Sequence, residues 1–191
     1  VGSVFSSTGF FFEAMELFEG DVPLWGFQRV PFIARTNVYG ESAHLLGYKN
    51  SHNIAIERCE DKEGFRAIIE ELFDAPVRLL NNYYEASFTN SNPILHPSRL
   101  YTLFKDWNKE VYYDHQYLFY EEWTDEASEL LIALDKELFS LLGKLPVAPD
   151  FLTPILPYYE STDTVSLTRK IRSINGFKGI HTPMLHSDKG W

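Results

Sequence analysis

The spacing of apolar residues changes between Glu57 and Gly64, and this change constrains the fold of the chain more than any other feature. Before it, apolar stretches such as residues 24–27 and 53–56 are short and separated by turn residues, as in antiparallel hairpins. After it, apolar residues recur with the 3.6-residue period of amphipathic helices. The sequence therefore predicts a mainly α chain with a small antiparallel β region on its N-terminal side.

The clearest predicted helix covers residues 123–142. Thr124 or Asp125 is the expected N-cap, and Gly143 follows the last turn as a stop signal. The apolar positions of this helix form one stripe, at residues 127, 130, 131, 134, 138, 141 and 142. Further helices are predicted over residues 10–18, 65–73, 81–89 and 166–174, and from Pro93 towards Trp107. A strand over residues 76–80 is an alternative addition to the β region.

Charged residues cluster at positions 57–64, and they predict a domain boundary there. Residues 1–60 contain too few strands to close a sheet core of their own. We interpret them as the trailing, β-rich part of a larger α/β domain, and residues 61–191 as a helical domain.

Composition excludes several classes of protein. Hydrophobic residues make up 45% of the 191 positions and aromatic residues 16%, which argues against a disordered chain. The net charge of −10 argues against binding to nucleic acid, which depends on cationic groups. No apolar run approaches the ~20 residues of a membrane span, so no membrane partner is expected. The single cysteine, Cys59, excludes an internal disulfide and fits a reducing, cytoplasmic compartment.

Two prolines, Pro93 and Pro97, flank His96. We predict Asn92 as an N-cap and Pro93 as the first helical residue, where a missing N–H costs nothing. Pro97 would clash with the carbonyl of Pro93, so a kinked or broken helix start is expected. Histidine titrates near neutral pH, which makes His96 a candidate acid or base. The alternative is a packed histidine without a chemical role, which is the commoner case for an isolated histidine.

Several other motifs are absent or ambiguous. The chain has no Gly-x-Gly-x-x-Gly turn, no Walker loop and no nucleophile elbow, and its six histidines form no zinc pattern, so no metal site is predicted. The aromatic residues between 112 and 123 could line a pocket, although core or interface is the commoner role. Asp135 flanks the apolar stripe and is expected to pair with Lys136 or to serve as a cap. Five arginines could each anchor a carboxylate: Arg35, Arg78, Arg99, Arg169 and Arg172.

Taken in order, these features resemble the opine dehydrogenases, the octopine/nopaline type of NAD(P)-dependent enzyme. The specific element is residues 90–97, Asn-Ser-Asn-Pro-Ile-Leu-His-Pro, which is similar to the family's Asn-Pro-x-x-His-Pro signature. Other segments support it by order and spacing. Residues 26–35, 39–40 and 46–49 resemble the last strands of the nucleotide-binding domain, and residues 119–122, 134–138, 172–179 and 182–184 resemble parts of the helical domain.

The resemblance implies a reductive condensation of an α-keto acid with an amino acid through an imine, with NAD or NADP as the cofactor of the full-length protein. By match of position, His96 is the catalytic acid/base, and Asn92 holds the signature turn and contacts a substrate. Residues 1–60 would then be an incomplete nucleotide-binding domain, and residues 61–191 a helical opine-dehydrogenase-like domain truncated at its C-terminus. A homodimer is compatible with such a helical substrate or dimerisation domain.

Two elements of the family pattern do not occur in this sequence. They are the glycine-rich nucleotide turn and an Arg-Tyr-x-x-Glu-Asp segment, whose aspartate pairs with the histidine. No cofactor-binding residue can therefore be assigned. The chain alone is expected to bind neither NADH nor NADPH and to be inactive as a fragment. The alternative functions are a non-catalytic α-helical binding or dimerisation module, and a related hydroxyacid or amino-acid dehydrogenase with another substrate.

Overall fold

The computed structural model describes all of residues 1–191. Its strands are β1 (Gly2–Ser3), β2 (Leu24–Phe27), β3 (Phe32–Val38), β4 (Ser42–Tyr48), β5 (His52–Glu57) and β6 (Val77–Leu79). Its α-helices are α1 (Phe10–Leu17), α2 (Lys62–Phe73), α3 (Tyr83–Ser87), α4 (Asn92–Phe104), α5 (Asp125–Leu142), α6 (Ile155–Tyr158) and α7 (Thr164–Ser173). Short 3₁₀ turns lie at Ser6–Thr8 and Asn175–Phe177.

The chain forms two compact units. The first comprises Val1–Thr89 and Leu142–Leu152, and the second comprises Asn90–Leu141 and Thr153–Trp191. The compact units therefore divide after Thr89 and not in the charged cluster at residues 57–64. Strand β6 pairs in parallel with β5, and Ile69 of α2 is buried against the same sheet, which keeps both elements in the first unit. The assignment of residues 1–60 to a nucleotide-binding domain stays a prediction.

The first unit contains a four-stranded sheet in the order β1-β2-β5-β6. The β2–β5 pair is antiparallel, whereas β1–β2 and β5–β6 are parallel. Strands β3 and β4 form a separate antiparallel ribbon, which turns at Gly40 with a φ of 77°. The prediction of an antiparallel β region is therefore correct for the two pairs formed within residues 24–57, whereas the parallel pairs involve β1 and β6, for which no pairing was predicted.

Helices and strands alternate within the first unit, so the chain is not clearly a mainly α fold preceded by a β region. Helix α1 packs on β2 through Phe11 and Ala14, and α2 covers the opposite set of apolar side chains, including Phe27 and Ile54. Strand β6 confirms the alternative strand near residues 76–80. The fold-class prediction missed this mixture because β1 and β6 are only two and three residues long.

The second unit is helical and surrounds one apolar core. Trp123, Ala127, Leu131, Leu167 and Ile171 are completely buried in it. Helix α5 lies where its periodicity predicts, and the hydroxyl of Thr124 accepts a hydrogen bond from the Ala127 N–H at 3.2 Å, which confirms the predicted cap. No helix of the chain combines the length and the apolar character that crossing a bilayer requires.

Candidate functional site

Helix α4 presents Asn92 and His96 on one face, because residues four positions apart lie one turn apart. The helix begins one residue earlier than predicted. Ser91 is the N-cap residue, and its carbonyl accepts hydrogen bonds from the N–H groups of Ile94 and Leu95 at 3.2 and 2.9 Å. Asn92 is the first helical residue, so its predicted role as N-cap is wrong.

Pro97 lies inside α4, and the helix continues through it to Phe104. The predicted break is therefore absent. Proline at this position removes a single hydrogen bond, the one its own N–H would donate to the carbonyl of Pro93. Because this loss falls within the first two turns, the bonds made further along still define the helix.

A buried polar cluster holds the start of α4 in place. The side-chain amide of Asn90 donates to Asp135 Oδ1 at 2.8 Å and to the carbonyl of Thr153 at 2.7 Å. The other oxygen of Asp135 accepts from the N–H of Ile155 at 2.9 Å, where α6 begins. Asn90 is 0% exposed and Asp135 6%. Asp135 thus pairs with Asn90 and with the first N–H of α6, whose N-cap residue is Pro154, and it does not pair with Lys136. Asn90, which sequence reasoning did not single out, holds the turn.

The His96 ring is half-buried against an irregular segment that precedes α5. Its Nε2 lies 2.8 Å from the hydroxyl of Tyr120, within hydrogen-bond distance. Its ring packs edge-on against Phe119, with the ring centroids 5.6 Å apart and an interplanar angle of 88°. Tyr120 is therefore the polar partner of the imidazole. No ion pair or hydrogen bond joins His96 to a carboxylate, whereas Asn92 is exposed on the same face.

Tyr120 is itself held firmly. Its ring stacks on Phe177, with centroids 4.1 Å apart and planes at 19°. The backbone beside it is anchored on both sides: Phe119 N–H donates to the Ile180 carbonyl at 2.7 Å, and Arg99 Nε donates to the Phe119 carbonyl at 3.0 Å. The phenol that orients His96 is thus fixed by packing and by backbone hydrogen bonds.

Burial lowers the pKa of His96 below its ordinary value, because desolvation disfavours the imidazolium. His96 is therefore neutral near pH 7. In the neutral ring one nitrogen carries a proton and the other is an acceptor. Since the tyrosine hydroxyl can either donate or accept, the contact at Nε2 is compatible with both tautomers. The ring can consequently offer either a proton or a lone pair at Nδ1.

We expect the imidazole of His96 to titrate with a midpoint below 6.5 in the folded chain. Between the folded and the unfolded pKa, the unfolded chain binds more protons, so this residue's contribution to stability is complete above 6.5 and declines as the pH falls. NMR titration of the histidine Cε1–H resonances measures the midpoint directly. A His96 midpoint at or above 6.5 would contradict the buried geometry.

The other predicted candidates are distributed over both units. Arg35 and Arg78 lie in the first unit, and Arg99, Arg169 and Arg172 lie in the second. No group of three or more His, Cys, Asp or Glu side chains is arranged to hold a metal ion. His115 is exposed and lies between Glu122 and Asp114, and the hydrogen bonds that its ring N–H groups donate to these two carboxylates raise its pKa.

Comparison with known proteins identifies one family and two relatives of this chain. The family described as NAD/NADP octopine/nopaline dehydrogenase, alpha-helical domain, matches residues 79–188, which is more than half of the chain. An uncharacterised protein of Sinorhizobium fredii is 29% identical over 145 residues, covering 72% of this chain and 38% of that protein. An opine dehydrogenase of Haliotis discus hannai is 23% identical over 183 residues, covering 87% of this chain and 44% of that protein.

Solved structures of octopine dehydrogenase share the fold. Two of them, one with NADH and L-arginine and one with NADH and agmatine, superimpose with a TM-score of 0.76 at 20% identity. Each covers 99% of this chain and is itself covered over 51% of its length. A third, with NADH and pyruvate, gives a TM-score of 0.67. The chain thus spans about half the length of the proteins that it resembles.

Proposed function

This chain belongs to the NAD/NADP octopine/nopaline dehydrogenase family through its alpha-helical domain, and from that premise we propose that its whole protein is an opine-type dehydrogenase. The proposed reaction condenses an α-keto acid with the amino group of an amino acid and reduces the resulting imine. His96 is the proposed acid/base, and Asn92 is a proposed substrate contact. We further propose that the protein is cytoplasmic, and a homodimer is compatible with this function.

The observation that carries the proposal is the pairing of His96 with Tyr120. The hydrogen bond at Nε2 holds the ring, while Nδ1 makes no hydrogen bond in this structure and is left to meet a substrate. With the tyrosine hydroxyl donating to Nε2, the proton sits on Nδ1 and can be given to a carbonyl or imine. With the hydroxyl accepting from Nε2–H, the lone pair on Nδ1 can take a proton from the amine. Both are general acid/base steps near neutral pH.

Asn92 supports this role by its position. It lies one turn before His96 on the same face of α4, it is exposed, and its side chain makes no hydrogen bond in this structure. An amide offers both donors and an acceptor, which suits a carboxylate or an amino group of a substrate. Because the imidazole and the amide are both neutral, other groups must balance the charge of a bound substrate.

The residues of this chain do not fit a dinucleotide cofactor. The turn between β1 and α1 carries Ser6, Ser7, Thr8 and Gly9, and not the glycine spacing that lets a backbone approach a pyrophosphate. We propose that NAD or NADP is held by residues outside this chain, where it supplies the hydride. Relatives determined with NADH, L-arginine, agmatine and pyruvate agree with a cofactor and substrates of this chemical class.

The proposal is tested with the whole protein that contains this chain. We expect reduced nicotinamide to be consumed only when an α-keto acid and an amino acid are present together, because the hydride acceptor forms from both. The absorbance of NADH or NADPH reports the rate, with pyruvate and a panel of amino acids as substrates. Oxidation with the keto acid alone at the same rate would indicate a hydroxyacid dehydrogenase instead.

The chain itself serves as the control for this experiment. Isothermal titration of residues 1–191 with NADH and NADPH is expected to give no saturable binding, and the assay no turnover. Micromolar binding of either nucleotide would contradict the placement of the cofactor outside the chain. Absence of turnover in the whole protein with every substrate pair would favour a non-catalytic binding or dimerisation module.

A further inference from the structure

A groove of about 610 Å³ in the second unit brings together two arginines from different helices, Arg99 of α4 and Arg172 of α7. Each uses its Nε to hold the same segment of backbone. Arg99 donates to the Phe119 carbonyl at 3.0 Å and Arg172 to the Trp123 carbonyl at 2.7 Å. These bonds fix both guanidinium planes and leave the terminal nitrogens without a hydrogen-bond partner.

The burial of Arg99 is unusual for a cation without an ion pair. Its side chain is 2% exposed, and it is the second largest of the fully buried side chains. Burial lowers its pKa to about 10, with Glu122 opposing the shift and the neighbouring Arg172 adding to it. Buried arginines are normally paired with a carboxylate, because an uncompensated buried charge is costly.

The carboxylates of the groove are engaged elsewhere. Glu121 accepts from the Gly179 N–H at 2.8 Å. Glu122 accepts from the Leu118 N–H and lies 3.1 Å from His115 Nε2. Glu126 pairs with Lys105. None of the three forms an ion pair with Arg99 or Arg172, although Glu122 is near enough to oppose the lowering of the Arg99 pKa. The two guanidinium groups therefore line one groove without a direct carboxylate partner.

We propose that this groove binds the carboxylate of a small molecule between Arg99 and Arg172. Guanidinium edges match a carboxylate through paired N–H donors, and such charge-assisted bonds are strong where water is partly excluded. The three glutamates of the rim favour a monoanion over a phosphate, because a second negative charge would be repelled by them. Neither His96 nor Asn92 lines the groove, so the site is separate from the proposed acid/base.

NMR titration of the 191-residue chain with propionate, at constant ionic strength, tests this site. The Nε–H resonances of Arg99 and Arg172 are expected to shift together and to saturate at about millimolar propionate, whereas the exposed Arg169 should not respond. Inorganic phosphate is the competing probe. Saturation by phosphate but not by propionate would overturn the carboxylate assignment, and a linear response without saturation would overturn the site.

Substitution provides a second, independent readout. Arg172→Gln should weaken propionate binding by about tenfold or more, because it removes one of two charged donors. Arg169→Gln is the matched control: it removes the same charge from the same helix at a position that does not line the groove, and it should leave binding unchanged. Equal weakening in both variants would show that propionate responds to the positive charge of α7 as a whole and not to a specific contact with Arg172. Should Arg172→Gln fail to fold by circular dichroism, the saturation of the two wild-type resonances decides the question alone.

Discussion

In the whole protein, replacing His96 with glutamine is expected to lower kcat/KM by about 10²- to 10⁴-fold, the range over which a positioned acid or base contributes to catalysis. Glutamine keeps a polar group that can bond to the Tyr120 hydroxyl, which lies 2.8 Å from the imidazole in the wild type. It cannot exchange a proton near neutral pH. The loss should therefore appear in the chemical step and not in the fold, with steady-state kinetics and circular dichroism measured on the same preparation.

The matched control is His44→Gln. His44 is exposed on β4, in the ribbon of the first unit, and the same change there should leave kcat/KM within about twofold because exposed substitutions away from a site have small effects. The acid limb of the pH–rate profile gives a further criterion. In the wild type kcat/KM should decline only at a pH below 6.5, in line with the lowered pKa of His96. This decline should disappear in His96→Gln. A variant that retains turnover with an unchanged profile would end the assignment of His96.

The helical part of the fold follows from local rules. The period of apolar residues predicts α5, and a threonine at its start predicts the cap that is observed. The sheet is less predictable, because the parallel partners β1 and β6 span two and three residues and carry no period. The division into compact units could not be predicted for a related reason. Helix α2 has a regular amphipathic pattern, and such a pattern does not reveal which unit its apolar face contacts.

The site was predictable only in part. The two prolines draw attention to His96, yet its partner Tyr120 lies 24 residues away in a segment without periodicity. Asn90 and Asp135 are 45 residues apart, and nothing in either neighbourhood indicates the hydrogen bond between them. The five arginines could not be ranked as carboxylate anchors, because only the fold shows that Arg99 and Arg172 line the same groove. Such contacts arise from tertiary packing, which brings together residues that local sequence patterns do not connect.

The largest effect on stability is expected at Trp123. Its side chain is 0% exposed, and its indole N–H donates to the Ser128 hydroxyl at 2.9 Å within the core of the second unit. Its ring lies nearly parallel to Tyr120, with planes at 9° and centroids 6.3 Å apart. Trp123→Ala should lower the free energy of unfolding by about 3–5 kcal/mol, because it removes buried apolar surface, leaves a cavity and removes one of the two hydrogen bonds of the buried Ser128 hydroxyl.

Urea denaturation followed by circular dichroism measures this loss, since the signal does not depend on the tryptophan that is removed. Trp107→Ala is the control: Trp107 is 55% exposed, and its loss should cost less than about 1 kcal/mol. Should Trp123→Ala not fold, Trp123→Phe keeps most of the volume and is expected to retain part of the stability. Because Trp123 supports the ring that orients His96, Trp123→Phe should also raise the pKa of His96 towards its ordinary value. Equal losses of stability at Trp107 and Trp123 would contradict the burial on which the geometry of His96 rests.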